Sequence, residues 1–228
     1  MVRKTLHLFV HCVTWVKRRQ RVRTDTGPVK VNLGAGLCVA PGWMHVDGGV
    51  YAMCSTWPTS VLRWVYRNSD ARNSHSEEDY LRILRQHRFV HHGLEYGVPY
   101  GDGTVDFIYS SHMLEHLFKN DAAWLLRDAY RVLKSGGRIR IAIPDLEYAL
   151  TLYRQGAKEQ ALEFFFSDSR AGYLNQHHYM YDFELLSRLL ATAGFVGIER
   201  CVFRKGEVPD LEILDNRPEE SLFVEARK

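Results

Sequence analysis

The chain has 228 residues, 46% of them hydrophobic and 25% charged, with a net charge of +3. This suits one globular domain with enough chain for a real core, and so mild a charge does not by itself call for nucleic acid. Cys12, Cys38, Cys54 and Cys201 form no C-x-x-C pair, so neither a zinc site nor a disulfide framework is suggested, a reducing cytoplasm fits, and no apolar run reaches membrane-spanning length.

Residues 1–28 precede the first expected strand. Leu6, Leu8, Phe9, Val10, Val13, Trp15 and Val16 form an apolar stretch, followed by Lys17-Arg-Arg-Gln-Arg21 and Arg23. A signal peptide would continue into a small-residue cleavage site, and the basic cluster stands there instead. Two readings stay open. One is a helix packed on the domain as part of a lid. The other is an interfacial helix, with Trp15 and the basic cluster at the headgroups, giving residues 1–23 a weak contact with the inner membrane surface. Thr24-Asp-Thr-Gly-Pro28 then breaks the chain.

The segment from Val31 to Asp47 reads as a strand (29–33), a glycine turn, a short connection and a second strand (43–47) ending in an acid. Gly34 and Gly36 let the backbone turn sharply and let a ligand approach closely. Amides after such a turn favour carboxylate or phosphate. Asp47 is placed to accept from a ribose diol. A dinucleotide fingerprint would have a third glycine where Val39 stands, and its acid about 20 residues on. The ligand expected is therefore an adenosine compound other than NAD.

Residues 50–88 contain Trp57, Trp64, Tyr66, a polar run and a helical pattern over 77–88, and read as an insertion near the site. A short strand is expected at 89–91 and a fourth at 106–110. A helix over 121–133 follows, with Gly136-Gly137 as its C-cap, and then a fifth strand at 138–143. Residues 146–166 read as helical, and 182–193 as a helix capped by Gly194. The last strands are expected at 196–204 and 221–226. Strands alternating with helices mean a parallel-rich α/β sheet. No internal repeat or low-complexity segment is present.

Three further segments accompany the glycine turn. They are Tyr100-Gly-Asp-Gly-Thr-Val-Asp-Phe-Ile-Tyr-Ser-Ser-His-Met-Leu-Glu-His116, Tyr130-Arg-Val-Leu-Lys-Ser-Gly-Gly-Arg-Ile-Arg-Ile-Ala-Ile-Pro-Asp145 and Ala193-Gly-Phe-Val-Gly-Ile198. In order and spacing the four resemble the motifs of class I S-adenosylmethionine (SAM) methyltransferases over residues 29–228, with Ser135 where that family usually has proline. Pro-Gly-Trp before the acid, Leu-Glu-His after strand four and the terminal Glu220-Ser-Leu-Phe-Val-Glu-Ala-Arg-Lys228 resemble a subgroup associated with glycans and secondary metabolites. The resemblance implies a Rossmann-like, seven-stranded, mostly parallel sheet flanked by helices. It also implies SAM as cofactor and S-adenosylhomocysteine (SAH) as product.

On that resemblance, Asn32, Gly34, Ala35 and Gly36 hold the methionine end of SAM, Asp47 its ribose, and Ser110 and Ser111 flank the transferred methyl. The family often has an acid after strand three for the adenine amine. This chain has His92-Gly93-Leu94, so the contact passes to the Leu94 backbone or to Glu95. His112 is the first choice of general base, since neutral imidazole takes a proton near pH 7. His116, at i+4, would share its face if a helix already begins at 112. Asp145 either holds the acceptor, orients a histidine or caps the next helix. The loop Asn175–Tyr181 resembles the family's late acceptor loop, with His177, His178, Tyr179 and Tyr181 as sugar or phenol contacts.

Some sugar methyltransferases use Mg²⁺, but no tight acidic cluster stands out here, so no metal site is assigned. The expected reaction is O-methylation of a sugar, glycan precursor or glycosylated metabolite. The alternatives are N- or C-methylation of a small metabolite, and a non-catalytic SAM-binding protein. Nucleic acid is not an expected substrate, because Ser110-Ser-His-Met113 is no Asn-Pro-Pro-Tyr motif and no RNA-binding module is recognisable. A homodimer is the default assembly. The polar, turn-rich stretch around Asp210, Asp215, Asn216 and Arg217 is expected to reach either a dimer partner or the substrate.

Overall fold

The computed structural model describes residues 10, 12–24, 26–166 and 176–228. Leu6, Leu8 and Phe9 of the apolar stretch, and Asn175 of the acceptor loop, lie outside them. Residues 12–17 are helical (α1). Seven strands follow: β1 (Lys30–Leu33), β2 (Met44–Asp47), β3 (Arg88–His91), β4 (Val105–Ser111), β5 (Leu133–Pro144), β6 (Val196–Cys201) and β7 (Ser221–Arg227). They form one sheet in the order β3-β2-β1-β4-β5-β7-β6. All pairings are parallel except the two made by β7. This is the seven-stranded, mostly parallel α/β sheet the sequence implies.

Central strands in such a sheet are covered on both faces and read as apolar runs. Val31, Leu33, Ile108, Ile139 and Ile141 are accordingly buried, against Leu125 and Leu126 of α5 (Lys119–Val132) and Leu186 and Leu190 of α8 (Phe183–Ala193). Asp182 caps α8 by accepting the Leu185 amide at 2.7 Å, and Gly194 ends it at φ +109°.

The strand order reverses at β1, which pairs with β2 on one side and β4 on the other. In open α/β sheets the crevice beyond the carboxyl ends at such a point is where ligands bind. The β1–β2 connection, residues 34–43, contains turns and no helix. The β2–β3 connection is the elaborate one. It carries α2 (Val50–Cys54), α3 (Thr59–Arg67) and α4 (Glu77–Gln86), around a small core of Cys54, Leu62, Val65, Ala71, Tyr80 and Leu84. Residues 50–88 are thus the crossover itself, with Arg88 already in β3. Ser76 caps α4 by accepting the Asp79 amide, and Glu77, Glu78 and Asp79 suit its first turn.

Two expectations are corrected. Gly136-Gly137 does not cap α5, which ends at Val132 and runs directly into β5. Leu133 pairs with Val105, and the register then shifts so that Arg138 faces Phe107. The glycines form that bulge. Gly136 sits at φ +78°, and a Cβ on Gly137 would lie 2.9 Å from the Lys134 carbonyl oxygen and 3.1 Å from that of Asp106. Residues 146–166 are not one helix either. α6 (Leu146–Arg154) and α7 (Lys158–Glu163) are separated at Gly156, whose φ is +94°; glycine ends a helix cheaply in that conformation. A short α9 (Leu211–Leu214) precedes β7.

Arg140 of β5 is fully buried. It donates to both oxygens of Asp215, at 3.0 and 2.5 Å, and to Glu225 of β7 at 3.1 Å. This ties the polar stretch around Asp215 to the sheet.

Candidate active site

Beyond the carboxyl end of β1, the Gly34 amide donates to Val46 at 2.8 Å with φ +68°. A Cβ there would collide with the Met113 side chain, so the thioether lies directly on the turn. Gly36 has φ +52°, and open space where a Cβ would stand. Ala35 between them is buried. Asn32 is committed to the turn: its amide donates to the Cys38 carbonyl at 2.9 Å and contacts His45 Nδ1 at 3.4 Å. Asp47 accepts from the Gly36 amide at 2.9 Å and the Gly49 amide at 2.5 Å. Each carboxylate oxygen has two lone pairs, so the group keeps acceptor capacity for a diol. The glycine cradle and this acid fit an adenosine ligand whose polar end meets the turn. The Met113 side chain is flexible enough to give way.

Past β3, Leu94 is buried and Glu95 follows it in a short 3₁₀ turn. A Cβ on Gly93 would lie 2.5 Å from the Thr14 methyl and 2.6 Å from the Glu95 carboxylate oxygens. Both candidates for the adenine contact therefore sit at this end, against α1. Gln20 strengthens the attachment by donating to the His91 carbonyl at 2.7 Å. Trp15 remains exposed, with the Arg18 guanidinium 3.9 Å above its ring.

The end of β4 carries the densest chemistry. Ser110 is buried, and its hydroxyl has no partner among the described residues; Ser111 reaches Asn216 at 3.4 Å. His112 has φ +48°, an uncommon conformation outside glycine. No helix starts there, contrary to the condition attached to His116: Leu114–His116 is a 3₁₀ turn and α5 begins at Lys119. The two histidines meet anyway, around Glu115. His112 Nδ1 lies 3.6 Å, and His116 Nε2 3.9 Å, from Glu115 Oε1.

Each imidazole is anchored by its other nitrogen. Arg217 can only donate to His112 Nδ1, at 3.5 Å, so Nε2 carries the proton and donates to Ser221 Oγ at 2.8 Å. His116 Nδ1 donates to the Gln176 carbonyl at 3.1 Å and His177 Nδ1 to that of Phe164 at 2.6 Å. Glu115 is 1% exposed, and neither carboxylate oxygen has a partner among the described residues. Burial raises its pKa to about 8. Burial, then the nearby Arg217 and His177, lowers that of His112 to about 3. Burial lowers that of His116 to about 4, against the opposing bond to Gln176. Near pH 7 these contacts therefore join neutral groups rather than ion pairs.

The acceptor loop wraps this cluster. The amides of His178 and Tyr179 donate to the Glu115 carbonyl at 2.7 and 3.3 Å. The His178 ring stacks on Phe118 at 4.3 Å. Tyr179 and Tyr181, 5.0 Å apart, line a cavity of about 270 Å³ with Lys119, Leu185 and Arg188. The buried Tyr181 hydroxyl has no partner among the described residues. Asp145 bridges to Tyr181 through the backbone, while one carboxylate oxygen caps α6 through the Glu147 amide at 3.0 Å and the other pairs with Arg200 at 2.6 Å. Another cavity, of about 300 Å³, is lined by Lys30, Trp43, Met44 and His87, at the opposite, amino-terminal end of the strands. Arg217 belongs to the polar stretch singled out in the sequence and Ser221 to its terminal Glu220-Ser-Leu motif, but their contacts with His112, over a hundred residues away, have no sequence signal.

Residues 61–141 match the family described as methyltransferase domain. The match includes Ser110–His116 but not the glycine turn or Asp47. None of the curated proteins compared matches the chain. Among solved structures, a SAM-dependent methyltransferase from Archaeoglobus fulgidus is 17% identical, over 98% of this chain and 94% of that one, with a TM-score of 0.53. One from Mesorhizobium loti is 20% identical, over 94% and 97%, with a TM-score of 0.51. A SAM-dependent methyltransferase from Thermotoga maritima described as a possible histamine N-methyltransferase is 17% identical, over 100% and 96%, with a TM-score of 0.50. At these identities the neighbours speak for the fold. The partial family match points the same way, to a methyltransferase domain.

Proposed function

We propose that the chain methylates a hydroxyl oxygen of a sugar, glycan precursor or glycosylated metabolite, at the expense of SAM. The observation that carries this reading is His112, whose Nε2 proton is held by Ser221 while Nδ1 faces Glu115. The tautomer leaves Nδ1 as the acceptor, the low pKa keeps it unprotonated near pH 7, and departure of Arg217 removes one of the causes that depress its basicity.

When bound, SAM supplies a methyl carbon on a sulfonium sulfur, open to in-line attack. The Gly34–Gly36 turn receives its methionine end, Asp47 its ribose diol, and Leu94 or Glu95 its adenine. His112 Nδ1 accepts the hydroxyl proton as the oxygen–methyl bond forms and the sulfur–methyl bond breaks, leaving neutral SAH. Arg217 must move aside for this. It is 60% exposed and has a second partner in Glu220 at 3.5 Å. Tyr179, on the wall of the cavity, offers an aromatic face that suits a pyranose ring, with Tyr181 packed against it.

Calorimetric titration with SAH, beside Asp47→Ala, tests the cofactor half. Micromolar binding that the variant loses supports it and justifies screening hydroxyl acceptors with labelled SAM. Well-folded protein that binds no SAH would overturn the reading.

A further inference from the structure

Three groups, two beyond the end of β4 and one in the acceptor loop, turn lone pairs toward one another. Glu115 is 1% exposed, with both carboxylate oxygens unpartnered among the described residues. A buried carboxyl group normally has a hydrogen-bond partner or a cation beside it, and a cation would let it ionise there. His116 and His177 each give their Nδ1 proton to a backbone carbonyl, which leaves Nε2 as a lone pair. Metal-binding histidines are held in this way, because the outer hydrogen bond fixes both tautomer and ring direction. One carboxylate oxygen and one ring nitrogen from each histidine lie within 4.8 Å of one another.

We infer that Glu115, His116 and His177 form a site for one divalent first-row transition-metal ion, of the Zn²⁺, Mn²⁺ or Fe²⁺ kind. Two nitrogens and one oxygen suit such ions, whereas Mg²⁺ and Ca²⁺ favour sets made of oxygen. Ligands about 2 Å from a common ion stand within about 4 Å of one another. The site therefore needs only a small inward swing of the rings, and His116 is 26% exposed on its side chain. Three protein ligands leave coordination positions open, as in sites that bind a substrate atom. His112 Nδ1, 3.6 Å from Glu115, stands beside those positions. If the proposed methyl transfer holds, on which this last step rests, the ion receives the acceptor's hydroxyl oxygen and acidifies it next to the base.

Another grouping, Glu199, Cys201 and Glu225, is a weaker candidate. Glu225 already accepts from Arg140, from the Glu207 amide at 2.8 Å and from the Val208 amide at 3.3 Å.

The test is calorimetric titration of untagged, chelator-stripped protein with Zn²⁺ and with Mn²⁺, beside Mg²⁺. One saturable equivalent of Zn²⁺ or Mn²⁺ per chain is expected, with Mg²⁺ much weaker. Glu115→Gln and His177→Ala should each weaken binding at least about tenfold, and Cys201→Ser should leave it unchanged. His177 lies nearer the surface, so its variant keeps the test open should Glu115→Gln fail to fold. Absence of one-site binding, or full binding in either folded variant, would overturn the site. SAH titration of the same samples separates the two proposals. SAH binding without metal binding removes only the ion; metal binding without SAH binding removes only the methyltransferase reading.

Discussion

The Asp47 carboxylate, at the end of β2, accepts the backbone amide of Gly36, beyond the end of β1, at 2.9 Å. Its other oxygen accepts the Gly49 amide at 2.5 Å. One side chain thus fixes both loops that face the proposed ribose. Asp47→Asn keeps the size but only one acceptor oxygen, so one of the two amides loses its partner. The expected result is SAH binding weakened at least about tenfold, with a stability loss of roughly 2 kcal/mol, seen as a Tm lower by ~4–8 °C. Unchanged SAH affinity would remove Asp47 from the cofactor site.

His112 and Ser221 form a base and its orienter, 2.8 Å apart. With any acceptor found by screening, His112→Ala should lower kcat by about 10²–10⁴. Ser221→Ala should lower it about tenfold, by releasing the tautomer. SAH affinity should stay within about twofold in both. Full turnover by His112→Ala at saturating acceptor would sink the hydroxyl reading in favour of an amine, which is nucleophilic once neutral and needs no such base.

The cofactor half of the site was legible because it is local. Gly34, Gly36 and Asp47 lie within one strand–turn–strand segment, where backbone geometry dictates residue type. The parallel-rich α/β class was legible for a similar reason, since strands and helices alternate with strong apolar patterning; the seven-stranded form came from the family resemblance. The acceptor half was legible only in part. His112, Glu115, His116 and His177 could each be named, but their convergence depends on a φ of +48° at His112 and on a 3₁₀ turn. Neither has a periodic signal. Gly136-Gly137 misled for a physical reason: a glycine pair after a helical pattern reads as a C-cap, and here the edge of β4 captured the backbone first. Asp215 was unreadable because its partner, Arg140, stands 75 residues away on another element.

Arg140→Met tests that buried link. The substitution removes the cation that bridges Asp215 and Glu225, both nearly inaccessible to solvent. Leaving buried carboxylates unpaired costs about 3–5 kcal/mol, so Tm should fall by roughly 10 °C or more. Asp215 precedes Asn216 and Arg217, which contact Ser111 and His112. Any folded variant should therefore also lose methyl transfer more than SAH affinity. A Tm within ~2 °C of wild type would show that the triad is dispensable.

Stability should rise with pH between about 4 and 6.5, because of His45. This imidazole is fully buried beside Asn32. Burial, and then the neighbouring His87, lowers its pKa from 6.5 to about 4. Burial also lowers His91 and His92. In that window the unfolded chain binds protons that the folded one does not, so acid favours unfolding. The stabilisation is fully present above about pH 6.5 and is lost as pH falls toward 4, on the order of 3 kcal/mol for His45 alone. Urea unfolding at pH 7.5, 6 and 5 measures the slope. His45→Phe, packed like the native ring against Phe89 at 5.4 Å, should make it shallower, leaving the like contributions of His112 and His116 and the opposite one of Glu115. An unchanged slope in that variant would assign the acid sensitivity to other groups.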